Sequence, residues 1–409
     1  MGVGSVRGVV TLRGVSIQRK CFAAALVLIA LTWCLMLLSH PGMVDVRLFE
    51  TWVAGARSSG LVSQFQQQNS EYGPLSLVIM TGFSFVTGGE AFWAVKISTF
   101  AATLTSGLIF WRLNGSITAA VGVVVALSVP SIALGFLDVL YMPFLFAMVH
   151  KWYHGHTAQG WVAFVLACLI KPSPLLLGPI AALFWMKHLV TVTSGQRLRC
   201  AAADLGPALA VYLASILVFG LDVVAGLWRA SATTHVALSS GAFNLPWLWT
   251  IVENAARGEA DLTVHIHRFD ASQTIGWAFR LAFTIAYLVV MRTLWRRRGE
   301  AISDLLSAGT LAFLAYFMLN LGVHGNHLLL LVGWCMAGSC VGACQMRTLT
   351  PLLCVSVAPI LLHYGFFDIA PTTFNVNNAV LLAVVAPVVL CLSLVPVLAD
   401  MRRMDAAHG

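Results

Sequence analysis

The chain has 409 residues, of which 59% are hydrophobic and only 10% are charged. A typical soluble protein has about 25% charged residues, so this sequence lacks the polar side chains that a water-facing surface needs. The composition excludes a soluble enzyme, a disordered chain and a nucleic-acid-binding domain. We attribute the net charge of +8 to membrane orientation.

Near-continuous apolar runs recur along the chain and predict an all-α integral membrane protein. The first run is expected to be a retained span, since no small-residue cleavage site follows it. We predict a single polytopic domain of about twelve transmembrane helices, near residues 22–39, 93–111, 117–136, 139–152, 160–171, 173–187, 204–221, 275–295, 304–321, 326–344, 349–366 and 377–398.

The distribution of Lys and Arg predicts the orientation of these spans. With both termini in the cytoplasm, most of the 24 basic residues fall in the inside connections, as the positive-inside rule requires. Residues 75–88 form another apolar run, but it is short for a crossing, and counting it as one would invert every later loop. We therefore predict a juxtamembrane helix there, and two large outer loops at residues 40–92 and 222–274.

Cysteine and histidine positions give no sign of disulfides or of a metal. The nine cysteines fall in predicted spans or at their cytoplasmic ends, which is typical of small packing residues. Histidines are too sparse in partner ligands for a zinc site. No metal or cofactor is expected.

Ionisable residues collect at the predicted outer ends of the spans, where each is a candidate for function because burial in a membrane is costly. Acids and cations around one outer cavity indicate chemistry on an anionic, lipid-linked substrate. These residues are Asp45, Glu71, Lys96, Asp138, Lys171, Arg280, His324 and His327.

Each of these residues also has a structural interpretation. Lys96 and Lys171 fit interfacial side chains that extend towards the headgroups. Asp138, in a tight turn, fits a helix cap, and Arg280 fits the partner of a structural acid. Asp45 is the hardest to explain in this way, because it lies in an aromatic segment of the largest outer loop.

Short motifs follow one another in order from residue 45 to residue 328. They are Asp45 with Phe49 and Trp52, Gly60-Leu61, Tyr72-Gly73-Pro74-Leu75, Trp93 to Lys96, Leu137-Asp138, Lys171-Pro172-Ser173-Pro174, Ala242-Phe243-Asn244-Leu245-Pro246-Trp247 and Gly322-Val323-His324-Gly325-Asn326-His327-Leu328. This series resembles the polyprenyl-phosphate-dependent glycosyltransferases of the GT-C fold. The resemblance is greatest to bacterial mannosyltransferases related to the enzyme that adds the second mannose of GPI anchors.

The resemblance implies a GT-C-like bundle whose first outer loop carries a catalytic Asp and interfacial helices. Asp45 is the expected base, with Glu71 as a backup and Asp138 as a further catalytic candidate. Two other sets complete the predicted site. The donor phosphate is expected to meet a pool made of Lys96, Arg280, His324, His327 and Lys171, and the acceptor or sugar is expected to meet Trp52, Tyr72, Asn244 and Trp247.

The predicted reaction is an inverting transfer of a sugar, expected to be mannose, from a polyprenyl-phosphate donor to an acceptor hydroxyl. It needs a base for the hydroxyl and cations for the departing phosphate. An Asp is a weak base at its ordinary pKa of about 4, so it needs a low-dielectric site or a late proton transfer. The predicted location is the extracytoplasmic face of a bacterial cytoplasmic (inner) membrane.

Several features stay open at this point. The acceptor is a glycolipid, a growing glycan or a protein, and the sequence predicts no oligomeric state. Gly73 and Gly325 replace a Pro and a Glu of the family motifs. A secondary transporter or a lipid-linked-glycan flippase is the alternative, although transporters place their substrate sites near the bilayer midplane and not at the outer ends of the spans.

Overall fold

The computed structural model describes residues 17–68, 72–226, 238–240, 242, 244–259, 273–297, 301–364 and 376–406. Within these ranges nearly all regular structure is helical. The α-helices are α1 (Ile17–Leu38), α2 (Val44–Ser59), α3 (Leu61–Gln67), α4 (Pro74–Val86), α5 (Ala91–Asn114), α6 (Ile117–Ser128), α7 (Met142–Tyr153), α8 (Thr157–Ile170), α9 (Gly178–Thr191), α10 (Ser194–Phe219), α11 (Leu245–Arg257), α12 (Gln273–Arg296), α13 (Ile302–Leu319), α14 (Leu328–Cys340), α15 (Met346–Tyr364) and α16 (Val376–Ala406).

Short elements connect these helices. A π-helical turn, Val129–Ala133, continues α6, and 3₁₀ turns span Leu137–Tyr141, Ser173–Leu177 and Gly325–His327. Two strands of two residues each, β1 (Ser239–Ser240) and β2 (Val323–His324), pair in parallel. This small pairing brings the two loops before α11 and α14 together.

Seven of the described helices are long and apolar enough to cross a membrane, so the chain is an all-α, multi-pass membrane protein. A helix coincides with each of the twelve predicted spans, but the number twelve stays a prediction. Helices α7 and α14 have 12 and 13 residues. At 1.5 Å per residue each measures about 20 Å, against about 30 Å of hydrocarbon.

Two predicted boundaries lie well inside the helices that form. Helix α10 begins at Ser194, about ten residues before the predicted span, and α16 runs to Ala406. At these ends the backbone stays helical through polar residues that lie beyond the apolar run. A hydropathy pattern therefore marks the part of a helix that is in the membrane, and not the whole helix.

Consecutive long helices run in opposite directions between two ends of the bundle. At one end Asn114 donates to the Ser339 carbonyl oxygen at 2.9 Å, and Lys187 donates to the Leu294 carbonyl oxygen at 3.3 Å. Asn114 and Lys187 belong to connections predicted to be cytoplasmic, and Leu294 and Ser339 lie near the predicted cytoplasmic ends of their spans. The turns predicted to be outside meet at the other end, which we call the site end. Which side of the membrane each end faces stays a prediction.

The core of the bundle is built around α14. Every residue of this helix is buried, and α7, α13 and α15 pack against it. Gly309 of α13 lies against the Trp334 ring, and the Trp334 Nε1 donates to the Leu306 carbonyl oxygen at 2.9 Å. In contrast, only 6% of the residues in the apolar stretches of α10 and α12 are buried. These two helices therefore supply a surface suited to lipid.

Candidate functional site

Helix α6 does not end as a regular helix at the site end. Its last turn is the π-helical segment Val129–Ala133, where carbonyl groups lose their usual partners. The Lys96 ammonium of α5 donates to the Ile132 and Ala133 carbonyl oxygens at 2.7 and 2.8 Å, and Lys96 is fully buried. Glu50 of α2 is close enough to act on this ammonium electrostatically. In this structure Lys96 therefore completes a helix end.

Asp45 lies in the first turn of α2 and is partly exposed. The turn can approach the end of α6 because Gly42 and Gly135 both have positive φ, 81° and 87°, and both lie against the Val46 side chain. A side chain in either position would be strained and would collide with Val46. An acid in the first helical turn also interacts favourably with the helix dipole, so Asp45 has a structural role available beside the predicted catalytic one.

Asp138 is the centre of a buried polar network. Its Oδ1 accepts hydrogen bonds from the Tyr141 hydroxyl and the Lys171 ammonium, both at 3.2 Å. Its Oδ2 accepts from Lys171 at 3.4 Å and from the Asn326 amide at 3.2 Å. Both members of the Asp138–Lys171 ion pair are almost completely buried. The network thus joins three segments that are distant in sequence: the turn with Asp138 and Tyr141, the end of α8 at Lys171, and the turn with Asn326. Asp138 and Lys171 are both predicted site residues.

The Tyr72-Gly73 corner packs directly on this network. The Gly73 N–H donates to the Ile170 carbonyl oxygen at 2.8 Å, next to Lys171. A Cβ at residue 73 would overlap the Leu169 carbonyl oxygen. A proline here would both collide and lose the hydrogen bond, so the glycine of this chain fits a position where the Pro of the resembled motif would not. The Lys171 ammonium lies 4.9 Å from the centre of the Tyr72 ring.

Tyr72 also joins this corner to the helix that carries Asp45. Its ring lies 5.5 Å from that of Phe49 and 6.0 Å from that of Trp52, in edge-to-face arrangements. All three rings are buried. A sugar-binding role for Trp52 or Tyr72 stays a prediction, and in this structure both side chains pack between α2 and the network.

The two predicted histidines lie on the turn before α14. His324 is in β2, and His327 is buried at the end of the 3₁₀ turn. The His327 Nδ1 lies 3.3 Å from the Tyr316 hydroxyl oxygen and 3.4 Å from the His324 backbone nitrogen. The hydrogen bond from Asn326 to Asp138 joins this turn to the network. The predicted histidines, Lys171 and Asp138 therefore occupy one connected region.

Asn244 and Trp247 form the start of α11. The buried Asn244 is the N-cap, and its Oδ1 accepts from the Trp247 N–H at 3.0 Å. The Asn244 amide donates to the Phe317 carbonyl oxygen at 2.8 Å, and the Ser239 hydroxyl donates to the Asn244 Oδ1 at 2.9 Å. This set of bonds fixes the second loop on α13. Acceptor binding by Asn244 or Trp247 stays a prediction.

Arg280 lies on α12, next to Phe279, which packs against Leu321 before the histidine turn. Its guanidinium lies 5.2 Å from the centre of the Trp277 ring, which is largely exposed on the surface of α12. Among the residues that the structure describes, Arg280 forms no ion pair. Glu71, the predicted backup base, lies outside the described residues.

A cavity of about 320 Å³ adjoins the network. Its walls are almost wholly apolar and come from the Tyr72 corner, α8, α10 and the segment after Lys171. They include Phe65, Tyr72, Leu169, Pro172, Tyr212 and Val223. Because Tyr72 lines the cavity and also covers Lys171, an apolar space and a polar cluster share one wall.

Two residues of the network were not predicted as site residues. Tyr141 and Asn326 are neutral, whereas the sequence search selected ionisable side chains at membrane depth. Asn326 nevertheless stands between the two histidines of a motif that was singled out, so its position gave a usable signal. Among the described residues, no group of His, Cys, Asp and Glu is arranged to hold a metal ion.

Comparisons with known proteins identify no relative of this chain. No family model matches the chain, and no curated protein is similar to it. The assignment of a function therefore depends on the residues described above and on the motif resemblance.

Proposed function

We propose that the chain is an inverting glycosyltransferase that takes a sugar, expected to be mannose, from a polyprenyl-phosphate donor and transfers it to an acceptor hydroxyl. The observation that carries the proposal is the shared wall between the apolar cavity and the Asp138–Lys171 network. A polyprenyl phosphate sugar has one apolar end and one anionic, polar end. The cavity suits part of the prenyl chain, and the adjoining polar region suits the head group.

Asp45 is the proposed base, because it is an acid at the site end that is partly accessible. Asp138 is a less suitable base, since three donors already occupy its two oxygens and Lys171 balances its charge. Its proposed contribution is to hold the corner at Lys171 and the histidine turn in place. Glu71 remains the backup base.

Arg280, His324 and His327 form the main proposed pool for the donor phosphate. Lys96 and Lys171 bind protein groups in this structure, so either lysine reaches a phosphate only if a phosphate oxygen replaces those partners. A charge-assisted hydrogen bond contributes about 1.5–3 kcal/mol, and removal of a true ligand is expected to lower kcat/KM about tenfold or more. A monophosphate donor balanced by protein cations needs no divalent ion.

Incubation of the purified protein with radiolabelled polyprenyl-phosphate mannose tests the proposal. A transferase consumes the donor and releases polyprenyl phosphate when an acceptor extract from the source membrane is present. Asp45→Asn is the matched inactive control. A transporter or flippase moves the labelled lipid or solute between compartments but leaves the donor chemically unchanged, and that result would contradict transfer. Mass spectrometry of the lipid extract, over a panel of polyprenyl-phosphate sugars, then identifies the sugar.

A further inference from the structure

Helix α11 has a buried side and, opposite it, an exposed apolar stripe. One side packs on the bundle through Pro246, Trp247, Thr250, Ile251 and Asn254, which are buried. The other side exposes Leu245, Trp249 and Val252, at 37%, 38% and 51% of their surfaces. These three residues are spaced by four and three positions, so they form a single stripe along the helix.

A helix on a water-facing surface normally presents polar residues on its outer side. The exposed stripe of α11 has a large aromatic and two aliphatic side chains, whose apolar surface is unfavourable in water. The stripe is therefore suited to an apolar partner.

The position of α11 indicates which partner it is. The helix packs against α16, one of the helices long and apolar enough to cross a membrane. Helix α16 exposes Val388, Leu392 and Val395, which form part of its lipid-facing surface. Because α11 lies beside this helix and its stripe is exposed, lipids around α16 are within reach of the stripe.

The length and the polar end of α11 limit how deeply it enters the bilayer. Its 13 residues span about 20 Å, too few for a crossing of about 30 Å. Glu253 pairs with Arg257 near the exposed C-terminal end, and the Trp249 Nε1 donates to the Glu253 carboxylate at 2.8 Å. A ring in apolar surroundings with its N–H bonded to a polar group is typical of the membrane interface.

We propose that α11 is an interfacial helix whose Leu245, Trp249 and Val252 stripe is inserted among the lipids of the leaflet at the site end. The Asn244 cap fixes the start of α11 to α13 through the Phe317 carbonyl oxygen, so the helix is held at a set position on the bundle. The proposed placement is independent of any transfer reaction.

Spin labelling in lipid nanodiscs tests the placement. Val252→Cys carries a nitroxide in a chain whose accessible cysteines, Cys21, Cys200, Cys354 and Cys391, are replaced by Ala. We expect collisions with O₂, which concentrates in lipid, and little collision with a water-soluble nickel chelate. Leu392→Cys on α16 is the lipid-facing control and Arg257→Cys is the aqueous control.

Two results would overturn the proposal. Nickel-chelate collisions at residue 252 as frequent as those at residue 257 would place the stripe in water. A label protected from both reagents would mean that protein covers the stripe, either another segment of this chain or a second copy. Doxyl-labelled lipids measure depth, and we expect stronger broadening from a nitroxide near the headgroups than from one at the acyl-chain end.

Discussion

The carboxylate of Asp138 is taken out of water, and a buried charge of this kind requires a counter-charge and donors for its oxygens. Lys171 supplies the charge, and Tyr141 and Asn326 supply the remaining hydrogen bonds. Removal of one ionic partner leaves the other charge uncompensated. The two members of the pair therefore depend on each other for the stability of the protein.

Lys171→Met tests this dependence. We expect a loss of about 3–5 kcal/mol in the free energy of unfolding, the usual cost of breaking a buried pair, measured by thermal or denaturant unfolding in detergent. The double variant Asp138→Asn/Lys171→Met should recover much of the loss, because neither charge remains. Arg257→Met breaks the exposed pair with Glu253 and should cost about 1 kcal/mol or less. If Lys171→Met and Arg257→Met lowered the free energy of unfolding equally, the Asp138–Lys171 pair would not have the stabilising role proposed for a buried ion pair.

Asp45→Asn tests the proposed base. Asn keeps the size and the hydrogen-bonding capacity of Asp but cannot take a proton, so turnover should fall roughly 10²–10⁴-fold while thermal stability changes little. Transfer from the radiolabelled donor is the measurement. Glu50→Gln, on the same helix, is the control and should keep most activity. If Asp45→Asn is active and Glu71→Gln is inactive, the base is Glu71.

The end of α6 is an element whose stability depends on a side chain from α5. Lys96→Met removes a donor from the Ile132 and Ala133 carbonyl oxygens, of which the Ala133 oxygen also lies 3.1 Å from the His40 Nδ1. A buried carbonyl left without a donor costs about 1–3 kcal/mol. We expect a lower melting temperature with and without donor, and an unchanged donor KM in the folded fraction. A donor KM raised tenfold at full stability would instead identify Lys96 as a phosphate ligand.

The corner between α3 and α4 depends on close backbone packing at residue 73. Gly73→Ala should destabilise the protein by about 1–3 kcal/mol, because the new Cβ overlaps the Leu169 carbonyl oxygen. Gly82→Ala is the matched control, since Gly82 is helical and has open space around its Cβ position. That change should be stabilising by up to about 1 kcal/mol. The measurement is the unfolding midpoint of each variant. If Gly73→Ala leaves the midpoint unchanged, α4 and α8 are able to move apart to accept the new Cβ.

The predictability of these elements follows from the range of the interactions that form them. The helix starting at Pro74 is visible in the sequence, because a proline after a turn and an apolar run are local signals. The partners of Lys96 are not, because they lie 36 and 37 residues away and exist only where α6 turns into a π-helix. Charge at membrane depth selected Lys96 from the sequence but did not distinguish a phosphate ligand from a side chain that caps a helix end.

At the scale of the molecule, apolar runs placed a helix at each predicted span, and the alternating direction of the helices agrees with the contacts at both ends. Helix lengths were not predictable in the same way. Helix α14 is wholly buried, and a buried core helix and a short lipid-facing span have similar composition. The neutral Asn326 was missed because its importance arises from Asp138, 188 residues earlier.

The orientation of the bundle is testable with a membrane-impermeant maleimide in intact cells. Ser58→Cys, exposed in α2, should react, and Gly195→Cys, exposed at the start of α10, should not. Cys21, Cys200, Cys354 and Cys391 are replaced by Ala for this measurement, so that they do not contribute labelling. Both positions should react after permeabilisation. Labelling at residue 195 in intact cells would show that the predicted inside connections are outside.

The spacing of the Asp138 network along the chain sets the order in which it is completed during synthesis. Lys171 follows Asp138 by 33 residues, and Asn326 follows it by 188. A ribosome adding roughly 5–20 residues per second delivers the lysine within about 2–7 s and the asparagine only after about 10–40 s. The nascent chain therefore balances the acid early, while the histidine turn arrives last and closes the region only after α13 has been made.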